Sequence, residues 1–142
     1  MKAELLSPAT LAFVGDSVYS LLVRESLAAI NRPAKALHVL SVRLVNAVSQ
    51  AEAYGVVEPF LTDKERELFR RGRNAHLSHV PKSASVADYH TATGLEALFG
   101  FWQLAEQPER MKEIFSHIWA HFSETMNLEV GSVEEKAYHA AL

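Results

Sequence analysis

The chain contains no cysteine. Disulfides, thiolate zinc sites and a cysteine nucleophile are thereby excluded. No apolar run approaches the roughly 20 residues that a bilayer-spanning helix needs. The first residues, Met1-Lys2-Ala3-Glu4-Leu5-Leu6, offer no long signal-like apolar stretch. A soluble cytoplasmic protein without membrane association is the expectation. A surplus of positive charge is also missing: the net charge of −3 excludes a polycation that binds nucleic acid through its total charge. There is no convincing strand alternation, no internal repeat and no linker that would divide the chain into two domains.

What remains is a globular helical composition. Of 142 residues 49% are hydrophobic and 22% charged, and a chain of this length can bury roughly 70% of its unfolded surface. Ser7-Pro8 reads as an N-cap and first-turn proline, opening a helix to about Ala29 with Leu11, Val14, Val18, Leu21 and Leu22 as its apolar stripe. Asn31-Arg32-Pro33 breaks it. Pro33 opens a second helix to about Tyr54, with Leu37, Leu40, Val42, Leu44, Val45 and Val48 as core candidates and Gly55 as its stop. Thr62-Asp63-Lys64-Glu65 matches a capping box. Gly72 to Ser83 reads as a loop or frayed helix end, Ser85 caps a helix to about Glu106, and Pro108 starts a last one to about Met126. The expected fold is all-α, a bundle of about six helices over residues 1–126, with 127–142 as a flexible tail.

Charge is unevenly spread. Between Lys64 and Lys82 six basic residues (Lys64, Arg66, Arg70, Arg71, Arg73, Lys82) face only Glu65 and Glu67, with His76 and His79 in the same stretch. From Glu106 onward seven acids outnumber three bases. A basic band on an acidic body points to an anionic ligand at one face.

Two acids stand in apolar surroundings. Asp16 lies within Leu11-Ala12-Phe13-Val14-Gly15-Asp16-Ser17-Val18-Tyr19, and Glu96 is the only charge in Thr93-Gly94-Leu95-Glu96-Ala97-Leu98-Phe99-Gly100-Phe101-Trp102. Burying an unpaired carboxylate costs several kcal/mol, so both require compensation. On their helices Asp16 shares a face with Ala12 and Ser20, and Glu96 with Ala92, Thr93 and Gly100. These small residues would let two helices meet with both acids at the seam. A cation between them would relieve their repulsion. Oxygen-only ligands suit Mg²⁺ or Mn²⁺ rather than zinc. Structural acids, each bonded to a basic side chain or a helix end, are the alternative. His117 and His121 stand at i, i+4, but without a further ligand frame they read as a surface or half-buried pair.

The Leu11 to Tyr19 segment resembles the signature helix of the ribonuclease III catalytic domain. Arg70-Arg71-Gly72-Arg73-Asn74-Ala75, then Val80-Pro81-Lys82, then Tyr89 through Gly100 resemble the small bacterial branch called Mini-ribonuclease III. The resemblance spans roughly residues 5 to 126. It implies a homodimeric helical endonuclease that cuts double-stranded RNA with Mg²⁺ (Mn²⁺ can substitute) and leaves 5′-phosphate and 3′-hydroxyl ends. Its implied substrate is the precursor of 23S ribosomal RNA, with a large-subunit ribosomal protein as a further candidate partner. No residues are left over for the separate RNA-binding domain of full-length ribonuclease III. Ala12 and Thr93 replace two of the four carboxylates of the full-length enzymes, as in the small branch.

On this reading Asp16 and Glu96 are the catalytic, metal-holding residues. Arg70, Arg71, Arg73, Asn74, His79 and Lys82 are the RNA-binding set, since A-form RNA is contacted mainly at its backbone and 2′-hydroxyls. A non-catalytic RNA-binding or ribosome-associated module, and a helical dimerisation module without nucleic acid, are the competing classes.

Overall fold

A computed structural model describes residues 1–75 and 85–128. Its described residues form six α-helices: α1 (Pro8–Ala28), α2 (Ala34–Val45), α3 (Ala47–Val57), α4 (Asp63–Arg73), α5 (Val86–Leu104) and α6 (Pro108–Thr125). Short 3₁₀ turns at Ala3–Leu5 and Glu58–Phe60 complete them. The all-α expectation is met. The start signals act as expected: Ser7 Oγ accepts from Thr10 N at 3.2 Å, Ser85 Oγ from Asp88 N at 3.1 Å, and Thr62 with Glu65 closes the capping box.

The helix expected from Pro33 to Tyr54 is two helices. Asn46 is extended (φ −69°, ψ 164°) and its side chain accepts from Ser49 N, so it ends α2 and caps α3 in one residue. Gly55 does not stop α3, which runs on to Val57. Gly72, expected in a loop or frayed helix end, lies in the last turn of α4, and a Cβ there would come within 2.9 Å of Ala97 Cβ and 3.0 Å of Gly94 Cα. It is kept for the close approach of α4 to α5. Helix ends use left-handed residues instead: Glu106 has φ 57° and Asn127 φ 55°, and the following amides bond back to Trp102 O and Ser123 O. Leu128, the last described residue, is buried. The expected tail otherwise lies outside the described residues.

Helix α5 is the hub. Ala92, Leu95, Leu98, Phe99 and Trp102 are buried on several faces, and α1, α3, α4 and α6 pack around it. The stripe that α1 turns inward is Leu11, Gly15, Tyr19, Val23 and Leu27, a clean four-residue spacing. Leu21, Val42 and Val48, expected in the core, are more than half or half exposed. Branched aliphatics dominate the apolar pattern of the sequence, whereas the contact face of α1 runs through a glycine and a tyrosine.

Among the described residues the buried acid is neither Asp16 nor Glu96 but Glu65, 8% exposed. Its Oε1 accepts from Thr62 N at 2.8 Å and Arg110 Nη2 at 2.7 Å; its Oε2 accepts from Arg110 Nε at 2.9 Å and Trp102 Nε1 at 3.1 Å. Burial alone would raise its pKa, but the bonds from Arg110, Thr62 and Trp102 outweigh that and hold the carboxyl below its ordinary value. One carboxylate thus caps α4 and ties it to α5 and α6. Removing one partner of such a pair strands a buried charge. Arg110→Met is therefore expected to lower stability by about 3 kcal/mol, read by urea denaturation; an unchanged midpoint would contradict it.

Candidate active site

Helices α1 and α5 meet backbone to backbone. A Cβ on Gly15 would lie 1.6 Å from Glu96 O and 2.8 Å from Gly100 N; one on Gly100 would lie 1.8 Å from Leu11 O and 3.0 Å from Gly15 N. No side chain fits at either position. The expected seam of small residues is present, but its spacing is set by these two glycines. Asp16 follows Gly15 in the chain, and Glu96 lies one helical turn before Gly100. The two acids therefore converge on one side of the α1–α5 contact, where the charge of Asp16 is felt at Glu96.

Their environments differ. Asp16 is exposed, contrary to the expectation from its apolar neighbours in sequence. Leu11, Gly15 and Tyr19 turn inward while Phe13, 80% exposed, and Asp16 turn out. Glu96 is half-buried. Desolvation by burial, then the negative charge of Asp16, push its pKa up to about 8; a bond from Gln50 opposes the rise and one shared with Asp16 adds to it. Tyr19 is buried behind the pair, edge-on to Phe99 (centroids 5.2 Å apart) and Phe115 (5.9 Å). Burial and the charge of Glu96 raise its phenol, so it stays neutral.

Gln50, which sequence reasoning missed, completes the site. It is 4% exposed, and its Nε2 donates to Val45 O at 2.9 Å and to Glu96 Oε2 at 3.4 Å. The available signal was a glutamine in the inward stripe Gln50, Ala53, Val57 of α3. Among the described residues no group of three or more acids and histidines is arranged around one point; the site consists of two carboxylates and an amide.

The expected RNA-binding residues are only partly gathered. Arg70, Arg71, Arg73 and Asn74 are exposed at the end of α4. Arg70 is paired with Glu67 at 2.6 Å. Arg73 lies 5.8 Å over the Phe69 ring. Arg71 lines a cleft with Lys64, Glu67 and Arg110, about 160° around the helix from Arg73. His90 Nδ1 contacts Arg73 O at 2.9 Å and fastens this end to α5. His79 and Lys82 lie outside the described residues. His117 and His121 do not converge on a shared partner: His117 stacks on Phe60 and His121 Nε2 meets Glu52 at 3.2 Å.

Comparison with known proteins finds relatives along most of the chain. The family model described as Ribonuclease III domain matches residues 9–107. A Mini-ribonuclease 3 of Thermoanaerobacter sp. (strain X514) is 44% identical over 110 residues, covering 77% of this chain and 78% of the relative. One from Symbiobacterium thermophilum is 43% identical over 112 residues, covering 77% and 85%. An X-ray structure of a Fusobacterium nucleatum protein superposes with a TM-score of 0.76 at 26% identity, covering 82% of this chain and 94% of that one.

Proposed function

Because the chain belongs to the ribonuclease III family, in its Mini-ribonuclease 3 branch, we propose that this endoribonuclease cleaves double-stranded RNA using Mg²⁺, with Mn²⁺ as a substitute, held by Asp16 and Glu96. The observation that carries the reading is the convergence of these acids across the Gly15–Gly100 contact. Two facing carboxylates repel unless a proton or cation lies between them. Their oxygen-only character and the exposure of Asp16 fit a hard ion that keeps part of its water. Asp16 at the solvent rim and Glu96 on the buried side would each supply one ligand.

When bound, such an ion lowers the pKa of water and neutralises charge on the scissile phosphate. The chain's own residues provide the rest. The glycine contact fixes the separation of the carboxylates, Tyr19 and Phe99 exclude water from their inner side, and the arginines at the end of α4 hold the RNA backbone. Hydrolysis joins the water oxygen to phosphorus and breaks the bond to the 3′ oxygen, giving 5′-phosphate and 3′-hydroxyl ends. Phe13 and Leu21, 80% and 57% exposed on the outer side of α1, support a homodimer in which each copy cuts one strand of the duplex. A stem of the 23S ribosomal RNA precursor in the cytoplasm is the proposed substrate, and a large-subunit ribosomal protein a proposed partner. Arg70, Arg71, Arg73, Asn74, His79 and Lys82 form the proposed RNA contact.

Incubation with duplex RNA, with and without Mg²⁺, and with the single strands as control, tests this. Cleavage is expected only for the duplex with Mg²⁺; binding without cleavage would overturn it. In the same system Arg71→Glu and Arg73→Glu are made singly. Each arginine that touches phosphate should reduce the salt dependence of binding by about one charge. An unchanged slope in both removes the basic band from the interface.

A further inference from the structure

The amide of Gln50 is used at only one of its two ends. Its Nε2 bridges Val45 O and Glu96 Oε2, while its Oε1 is buried without a hydrogen-bond partner. The bridge joins the end of α2 to the carboxylate on α5 across the break at Asn46. The Val45 carbonyl has no proton to give, and the Glu96 carboxyl meets the amide at Nε2 and not at Oε1. A buried acceptor of this kind calls for a donor brought in from outside. Water held by a hard cation is such a donor.

Resting on the reading of Asp16 and Glu96 as the cation's ligands, we propose that Gln50 is the positioning residue of this site. Its Nε2 fixes the orientation of Glu96, and its Oε1 accepts a hydrogen bond from the hydration shell of the ion. A carboxylate on a long side chain has several rotamers, and a ligand held in one of them binds the metal without first losing that freedom. The competing role is structural: Gln50 merely satisfies the Val45 carbonyl at the end of α2. The two roles separate on metal affinity, which a structural cap leaves unchanged.

Mn²⁺ binding to the RNA-free protein, followed by the paramagnetic resonance of free Mn²⁺, is compared for wild type, Gln50→Met and Asp16→Asn. Methionine keeps the length of the side chain and removes both polar atoms. Expected are a loss of at least about tenfold in Mn²⁺ affinity for Gln50→Met, a metal-free melting temperature within a few degrees of wild type, and no detectable binding for Asp16→Asn. With RNA, kcat of Gln50→Met should fall at limiting Mg²⁺ and recover as Mg²⁺ is raised, with KM for RNA unchanged. Wild-type Mn²⁺ affinity in Gln50→Met, together with lost binding in Asp16→Asn, overturns the role of Gln50 and leaves the cation site standing. Wild-type affinity in Asp16→Asn overturns the cation site and the role of Gln50 with it. Should Gln50→Met not fold, the side-chain amide signals of Gln50 in wild type decide: a shift with Mg²⁺ and broadening with Mn²⁺ are expected, and signals unmoved by either overturn the proposal.

Discussion

Gly100→Ala is expected to destabilise the protein by about 3 kcal/mol or more and to abolish RNA cleavage in whatever fraction stays folded. The added Cβ would sit 1.8 Å from Leu11 O and so cannot be accommodated by a rotamer change. Backbone must move. Either α1 slides or the two helices part, and both movements break the packing of Tyr19 on Phe99 and of Leu11 against α5. Alanine is the better helix former by about 1 kcal/mol, so a solvent-facing glycine would show the opposite sign. Gly55 supplies that control: a Cβ there meets nothing within 4 Å, and Gly55→Ala should leave stability equal or slightly higher. Thermal melts of the two variants check the pair. A stable, fully active Gly100→Ala would mean that the glycine contact does not set the distance between the carboxylates.

Much of this fold was legible because its signals are local. Ser7-Pro8, the Thr62–Glu65 capping box and Ser85 act within four residues, and each starts its helix where the pattern places it. Pairings between distant elements were not legible. Nothing near Glu65 in the sequence announces that Trp102 and Arg110 bond to it. The apolar setting of Asp16 suggested burial, but its helix faces the core through Gly15 and Tyr19 and leaves Asp16 on the other side. Asn46 hid a helix break because asparagine fits both the end of α2 and the cap of α3. The convergence of Asp16 and Glu96 was foreseeable since small residues surround both; the glutamine that bonds to Glu96 was not, for a single polar residue in an apolar stripe has many uses.

Asp16→Asn and Glu96→Gln are each expected to lower the cleavage rate on the order of 10³-fold while leaving metal-free RNA binding at the wild-type level. Both changes remove charge and keep shape, and neither residue belongs to the basic end of α4. The two variants should nevertheless part in their pH behaviour. With its pKa raised from the ordinary 4.5 to about 8 in the folded chain, Glu96 keeps its proton over a range in which the unfolded chain has already lost it. The unfolded state then binds fewer protons, and stability falls as pH rises from about 4.5 to about 8. Glu96→Gln removes the group responsible, so this part of the decline should disappear. Asp16→Asn removes the neighbouring charge but not the burial, which is the larger cause, so the decline should shrink and persist. Urea denaturation of metal-free protein at several pH values across that window distinguishes them. Mg²⁺ should flatten the wild-type profile, because a cation between the carboxylates replaces the proton that Glu96 otherwise retains. A Glu96→Gln profile that fell as steeply as wild type would place the pH dependence elsewhere, and an unchanged cleavage rate in either variant would remove these two acids from the chemistry.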